Sequence, residues 1–302
     1  MEEYILNKNI ISVCVVLSFI FPVLGNAEEH HKKSPSFKST KLTKNIFMLQ
    51  GKGGNLALIK GKQGILLIDA DYKVMSTALE NELKKYGGVN KLSYLINTHW
   101  HGDHTQGNFA LGHHAKIIAH DNVRARLLTT QEIKLFKMVS KPYPKHALPS
   151  ITFEKKLSLH INNEDIEVVH FPHGHTDGDS VVFFKKSNVV HMGDHFFSGF
   201  FPFVDVSHGG NVLNMAKNIK SILTMLDDNT KVIPGHGPLS DKKGLRAFHD
   251  MLIGTSTEVK TMMDKGFSLE KIKAKGLSKK WDSWTKGFLS TSVWIGIVHS
   301  SL

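Results

Sequence analysis

Asn97-Thr98-His99-Trp100-His101-Gly102-Asp103-His104-Thr105 is the stretch on which the reading of this chain turns. It places three imidazoles and one carboxylate within the six residues from His99 to His104. Imidazole nitrogen and carboxylate oxygen form the ligand set that a borderline-soft divalent ion such as zinc prefers. In an extended segment His99 and His101 point to one side, and Asp103 and His104 follow on the turn beyond. Such an arrangement serves two neighbouring metals. A polar surface turn is the ordinary alternative, and for a lone histidine it would be the better one; a cluster this dense points to chemistry.

Working outward, the flanking segments predict how the cluster is delivered. Residues 55–60 and 64–69 read as a hairpin turning at Gly61-Lys62-Gln63. Residues 74–86 carry Leu79 and Leu83 at helical spacing and stop at Gly87-Gly88. Residues 92–97 read as a buried strand running straight into the histidines, so the cluster falls on a loop at a strand's carboxyl end, where α/β proteins build sites. Beyond it, a strand at 115–119 and a helix at 121–129 are expected. Residues 130–149, with three prolines among lysines and apolar residues, read as a long irregular connection forming a mobile flap or rim. Short strands follow at 167–171, 180–184 and 189–192. A helix at 211–226 carries Ala216, Ile219, Leu223 and Leu226 on one stripe. A strand at 231–233 and a mostly helical pattern to Lys286 complete the chain, with no internal repeat.

Three later loops also end strands. They are Phe171-Pro172-His173-Gly174-His175-Thr176-Asp177-Gly178-Asp179, Met192-Gly193-Asp194-His195 and Ile233-Pro234-Gly235-His236-Gly237-Pro238. Singly each is a weak signal, since a strand-end Asp is commonly a turn former and Gly-His-Gly commonly a loop. Four such loops in one chain are not.

Residues 10–24 are nearly all apolar and lead to Gly25-Asn26-Ala27, the pattern of a signal peptide cleaved after Ala27. The run is short for a bilayer span, which needs about 20 apolar residues, although Glu2 and Glu3 sit where a positive flank is usual. The division expected is signal peptide 1–27, flexible leader 28–44 and one main domain 45–302, in the periplasm or secreted and without a membrane after cleavage. Cys14, the only cysteine, lies in the apolar run. Thiolate ligands and disulfides are thereby removed from the mature chain, and nitrogen and oxygen alone must hold any metal. The formal charge is +11, and a basic surface suits nucleic acid, anionic lipid or anionic substrates. The densest run, Lys271, Lys273, Lys275, Lys279 and Lys280, has no aromatic platform before Trp281 and reads as a solvated helix face. A small-molecule substrate, anionic in keeping with the surface, is the expected partner; nucleic acid is not.

Together the HxHxDH cluster and the Gly-His-Thr, Gly-Asp and Pro-Gly-His-Gly loops resemble the metallo-β-lactamase superfamily over residues 43–238. The resemblance implies an α/β fold, an αββα sandwich of two mixed β-sheets flanked by helices. It implies a first metal held by His99, His101 and His175, a second held by Asp103, His104 and His236, and Asp194 bridging them. Asp69 resembles the buried acid that props the histidine loop. His173, His191 and His195 have no matching ligand role and are read as supporting or structural.

Two metals so held, two Zn²⁺ with iron or manganese also admitted by the oxygen bridge, can share a water about 3.5–4 Å between ions and bring its pKa toward ~7. The hydroxide attacks a carbonyl while Asp103 orients it or carries its proton. β-Lactam or related amide, lactone and ester hydrolysis is the leading expectation. A glyoxalase-like thioester hydrolase and a phosphodiesterase or nuclease of the same superfamily are the alternatives. The best-known β-lactamase subclass has cysteine where this chain has Asp194 and a substrate-binding lysine where it has Phe197, which weakens a dedicated β-lactamase reading. Asn211 resembles that subclass's substrate-contacting asparagine and also stands where a helix cap belongs. Trp100 is expected at the pocket rim, and Phe196, Phe197, Phe200, Phe201 and Phe203 divide between pocket wall and core.

Overall fold

The structure, a computed structural model, describes residues 34–302. The signal-peptide segment and Cys14 lie outside the described residues. Alternation along two strands sets the layers. In β3 (Leu56–Gly61) and β4 (Gly64–Ile68), which follow β1 (Lys38–Lys41) and β2 (Ile46–Gln50), Leu56, Leu58, Ile65 and Leu67 face one core. There they meet Leu79 and Leu83 of α1 (Ser76–Lys84). The intervening Ala57, Ile59, Leu66 and Ile68 face the opposite way, into a core shared with a second sheet. A strand buried on both faces must be apolar almost throughout, as Gly64-Ile65-Leu66-Leu67-Ile68 is.

The first sheet has the order β1-β2-β3-β4-β5-β6-β9, with β5 (Leu92–Ile96), β6 (Lys116–His120) and β9 (Ile151–Phe153) running parallel to β4. The small helices α2 (Gly102–Thr105) and α3 (Asn108–Leu111) lie between β5 and β6, and α4 (Asp121–Leu127) follows β6. The second sheet runs β10 (Lys156–Ile161), β11 (Glu164–His170), β12 (Ser180–Phe184), β13 (Val189–His191), β14 (Lys231–Ile233) and β15 (Ser240–Asp241). Its Val182 and Phe184 face the first sheet, whereas Val181, Phe183, Val190 and Val232 face helices α5 (Val212–Met225), α6 (Lys242–Asp264) and α8 (Thr291–Ser301). A short α7 (Leu269–Lys275) packs beside α8. Helix, sheet, sheet, helix is therefore the order of layers, as the resemblance implied.

Three differences from the sequence reading have local causes. Residues 38–41, read as leader, form the edge strand β1 against β2; its Lys38, Ser39, Thr40 and Lys41 lack apolar alternation because an edge strand carries charge where it meets water. Residues 130–149 contain a small hairpin, β7 (Gln131–Ile133) with β8 (Met138–Ser140), in place of an irregular connection. Helical structure also runs past Lys286, where α8 buries Trp294, Ile295 and Val298. No helix among the described residues is long and apolar enough to cross a membrane.

Candidate metal centre

The strand ends of both sheets meet at one edge. β5 gives way after Ile96 to Asn97 and Asn108, whose side-chain amides bond each other (2.8 and 3.2 Å) and turn the chain back on itself. His101 is still extended (φ −61°, ψ 149°), and the single turn α2 then carries Asp103 and His104. The loops after β11, β13 and β14 bring His175, Asp194 and His236 from the other sheet. Asn55 ties the two sides together: its Nδ2 donates to the carbonyls of Pro234 (2.8 Å) and Gly237 (2.9 Å), and its own carbonyl accepts from His191 Nε2 (2.9 Å).

Every residue assigned to a metal by the resemblance is found there, in the expected grouping. His99, His101, His175 and Asp194 offer ligand atoms within 4.8 Å of one another, and Asp103, His104 and His236 do the same. Asp194 lies between them. Its Oδ2 is 3.3 Å from His175 Nε2, 3.4 Å from His236 Nε2 and 3.8 Å from His99 Nε2, while its Oδ1 is 3.1 Å from His104 Nε2. Asp103 Oδ2 is 3.2 Å from His236 Nε2 and 3.6 Å from His104 Nε2.

Hydrogen bonds on the far sides of the rings set the tautomers. His175 Nδ1 donates to the Phe203 carbonyl (2.8 Å), His101 Nε2 to Asp205 (3.0 Å) and His104 Nδ1 to Asp69 (2.7 Å). Thr98 Oγ1 donates to the same oxygen of Asp69, Oδ2 (2.8 Å), while the Thr98 N–H donates to Oδ1 (2.8 Å), and Thr98 Oγ1 so accepts from His99 Nδ1 (3.1 Å). With those protons turned outward, the lone pairs of His101 Nδ1 and His175 Nε2 face each other at 2.8 Å. Two lone pairs at that distance repel unless a cation stands against both. His99 Nε2 and Asp194 Oδ1 are buried without a hydrogen-bond partner among the described residues, an arrangement that otherwise costs about 1–3 kcal/mol per group. The donor set fits metal ions of the borderline class.

Electrostatics agree. Burial pushes His99 down, and His175 down to about 4. Burial acts in the same sense on His104 and His236, but Asp194, with Asp69 and Asp103 at His104 and with Asp103 at His236, outweighs it, raising the first and taking the second to about 9. Asp103 and Asp194, in turn, are held below the usual carboxylate range as the histidines overcome burial. The carboxylates thus demand positive charge at the site.

A cavity of about 340 Å³ opens onto His101, Asp103, Asp194 and His236. Its walls are Ile133, Phe136 and Met138 of the 130–140 hairpin with Phe197, Phe203 and Phe288, and Lys52 and Tyr72 stand at the side. Residues 130–140 are thus a rim, as expected, and the phenylalanines divide: Phe197 and Phe203 face the cavity, whereas Phe201 stacks on Trp294 in the helical core. Two expectations are corrected. Trp100 is 2 % exposed, set between His101 and His208 and away from the rim, because its ring joins the hydrophobic core of Val123, Phe203 and Val204. Asn211 is no cavity residue either; its Oδ1 caps α5 at Asn214 N (3.0 Å) and its Nδ2 donates to the Ser301 carbonyl (3.0 Å).

His195 and His191 are buried supports, and His173 bonds the Gly209 carbonyl through Nδ1 (3.0 Å). The sequence reading missed Asp205, which accepts from His101, from His208 (2.8 Å) and from Ser207 (2.7 Å). It also gave no role to Asp179, which accepts from the backbone N–H of His175 (2.6 Å) and Thr176. The spacing of Asp179 four residues after His175, within a loop already singled out, was the available signal.

The model of the metallo-beta-lactamase superfamily matches residues 49–236. A probable metallo-hydrolase of Methanocaldococcus jannaschii is 28% identical over 206 residues, covering 65% of this chain and 95% of its own. Among solved structures, a metallo-beta-lactamase from Pontibacter korlensis superposes with a TM-score of 0.58 at 17% identity, over 72% of this chain and 99% of that one. The sec-alkylsulfatase Pisa1 from Pseudomonas sp. reaches 0.67 at 16% identity, over 87% of this chain and 50% of its own. Sandwich, ordered motifs and a family match over more than half the length coincide, and the chain belongs to the metallo-beta-lactamase superfamily.

Proposed function

We propose that this protein is an exported dinuclear zinc hydrolase that opens a carbonyl-centred bond, a lactam, lactone or ester, in a small substrate. The observation that carries the reading is the pair of ligand groups sharing Asp194 at the floor of an apolar cavity. His99, His101, His175 and Asp194 would hold one ion, and Asp103, His104 and His236 the other. Zinc so placed supplies Lewis acidity and lowers the pKa of a water toward ~7. The chain's own residues do the rest. Phe197, which stacks on His236 (5.0 Å, 22°), and Phe203 exclude bulk water from the floor and receive an apolar substrate arm. Asp103 belongs to the second ligand group and also lines the cavity, so its carboxylate is placed to orient a water and pass the proton to the leaving atom. The apolar stretch 10–24 supports export, and with it an encounter with small molecules rather than nucleic acid.

Metal analysis of the purified full chain, joined to a hydrolysis panel, tests this. The panel holds a chromogenic cephalosporin, a lactone, an aryl ester, a thioester, a phosphodiester and a secondary alkyl sulfate. Two zinc equivalents per chain, turnover among the first three and loss of it in His101→Ala are expected. Turnover of the phosphodiester alone, or of nothing with both ions bound, overturns the reading.

A further inference from the structure

The loop between β2 and β3 reads Gly51-Lys52-Gly53-Gly54. It runs against the metal-ligand turn, with Gly54 N donating to the Asp103 carbonyl (3.1 Å). A Cβ on Gly54 would collide with the His104 ring, and one on Gly53 with the Asp103 carbonyl oxygen and Asp71. Side chains are excluded there by contact. The loop is also clamped from behind: Asp71, buried and in the left-handed region (φ 59°), accepts from the backbone N–H of Lys52 (3.0 Å), Gly53 (2.9 Å) and Tyr72 (2.6 Å).

Across residues 51–54, where glycines press against Asp71, Asp103 and His104 and a buried carboxylate holds the backbone, Lys52 carries the one side chain, and it lines the cavity. Among the described residues, Lys52 is the only lysine or arginine lining that cavity. The acidic groups that share the lining, Asp103 and Asp194, belong to the ligand groups. Phe136, Phe203 and Phe288 share the lining, so the pocket offers one cation, carried on an anchored loop, together with an aromatic wall.

We infer that Lys52 is the anion anchor of this site, and that the substrates are monoanionic, a carboxylate set beside an apolar arm and the scissile carbonyl. The inference rests on the hydrolase reading above for its reaction. A single ammonium matches a single negative charge, whereas a phosphate dianion would call for a cluster of cations. Asp71 is the positioning residue that holds the loop under it.

The test uses the zinc-loaded full chain with two esters differing in one terminal carboxylate, 4-nitrophenyl hydrogen glutarate and 4-nitrophenyl valerate. Phenylacetate, which is not hydrolysed, is titrated calorimetrically. Lys52→Met is expected to raise KM for the glutarate ester about ten-fold, the size of one charge-assisted contact, with kcat within two-fold and the valerate ester unaffected. Phenylacetate affinity falls by the same factor, Lys52→Arg restores most of it, and Lys62→Met, at the far end of β3, changes nothing. Equal effects on both esters, or unchanged phenylacetate binding in Lys52→Met, overturn the inference. If the parent protein hydrolyses neither ester, the hydrolase reading is what fails, and the phenylacetate titration still decides the anchor.

Discussion

His99, His175 and Asp194 keep between 1 and 4 % of their side-chain surface, whereas Asp103 and His236 in the neighbouring group keep 19 % each. The donor atoms are alike, but their surroundings are not. Each ring of the buried group is fixed from outside by a named partner, the Phe203 carbonyl, Asp205 or Thr98. In the other group only His104 has such a partner, Asp69, and the open side is the cavity itself. The first group is enclosed except where His101 and Asp194 meet the cavity, whereas the second opens to it through Asp103 and His236, with His104 buried behind them. An ion in the first is expected to be retained, and an ion in the second to exchange.

Removing the shared carboxylate should erase the difference. Asp194→Ala is expected to lower turnover on the order of 10³-fold and to reduce bound zinc below one equivalent; retention of two equivalents would mean the groups do not depend on it. Next in size, His236→Ala should leave one equivalent in place while His175→Ala releases the tightly held one, measured by stoichiometry after dialysis against a weak chelator. If both variants retain the same ion, the contrast between the enclosed and the open group fails. Smaller again, Asp205→Ala should weaken only the buried site, by about 10–100-fold. Asp69→Ala reaches His104 directly and His99 through Thr98, and should therefore weaken both, resolved as two steps in a chelator competition.

The smallest effect concerns the loop carrying His175. His170 Nδ1 donates to the Asp179 carbonyl (2.8 Å), and its ring stacks on His120 (3.7 Å between centroids). Burial first, then His120, pushes His170 down to about 4. Between pH ~6.5 and ~4 the unfolded chain takes up a proton that the folded chain refuses, so stability present above this window is lost as pH falls through it. His170→Asn, which keeps a donor, should flatten the fall in thermal midpoint across that interval; an identical slope would remove His170 from the account.

The seven candidate ligand residues were legible because each sits in a short motif at the end of an apolar strand, and strands buried on both faces announce themselves. Much of the fold followed from the same signal: β12 and β14 lie where the apolar runs put them. What the sequence hid depends on packing between distant segments. Asp205 lies in ordinary loop sequence, and only the approach of residues 203–208 to His101 gives it a role. Trp100 between two candidate ligands looks like a rim residue until packing draws its ring into the core. Asn211 satisfied two descriptions, and the nearness of the chain's last helix decided between them. Edge strand β1 was obscured by lysines that belong on an edge.

The centre also draws on both halves of the sandwich. His99, His101, Asp103 and His104 follow β5, while His175, Asp194 and His236 hang from the second sheet, and Asn55, Gln50 and the Thr98 carbonyl make direct polar ties across the same edge. Ions bound there would rivet the sheets together and stabilise the chain in proportion to the logarithm of free metal over its dissociation constant. On the proposed reading, metal supply would govern the lifetime of the protein as well as its chemistry: without metal the seam is expected to loosen at this edge, and proteolysis to begin there.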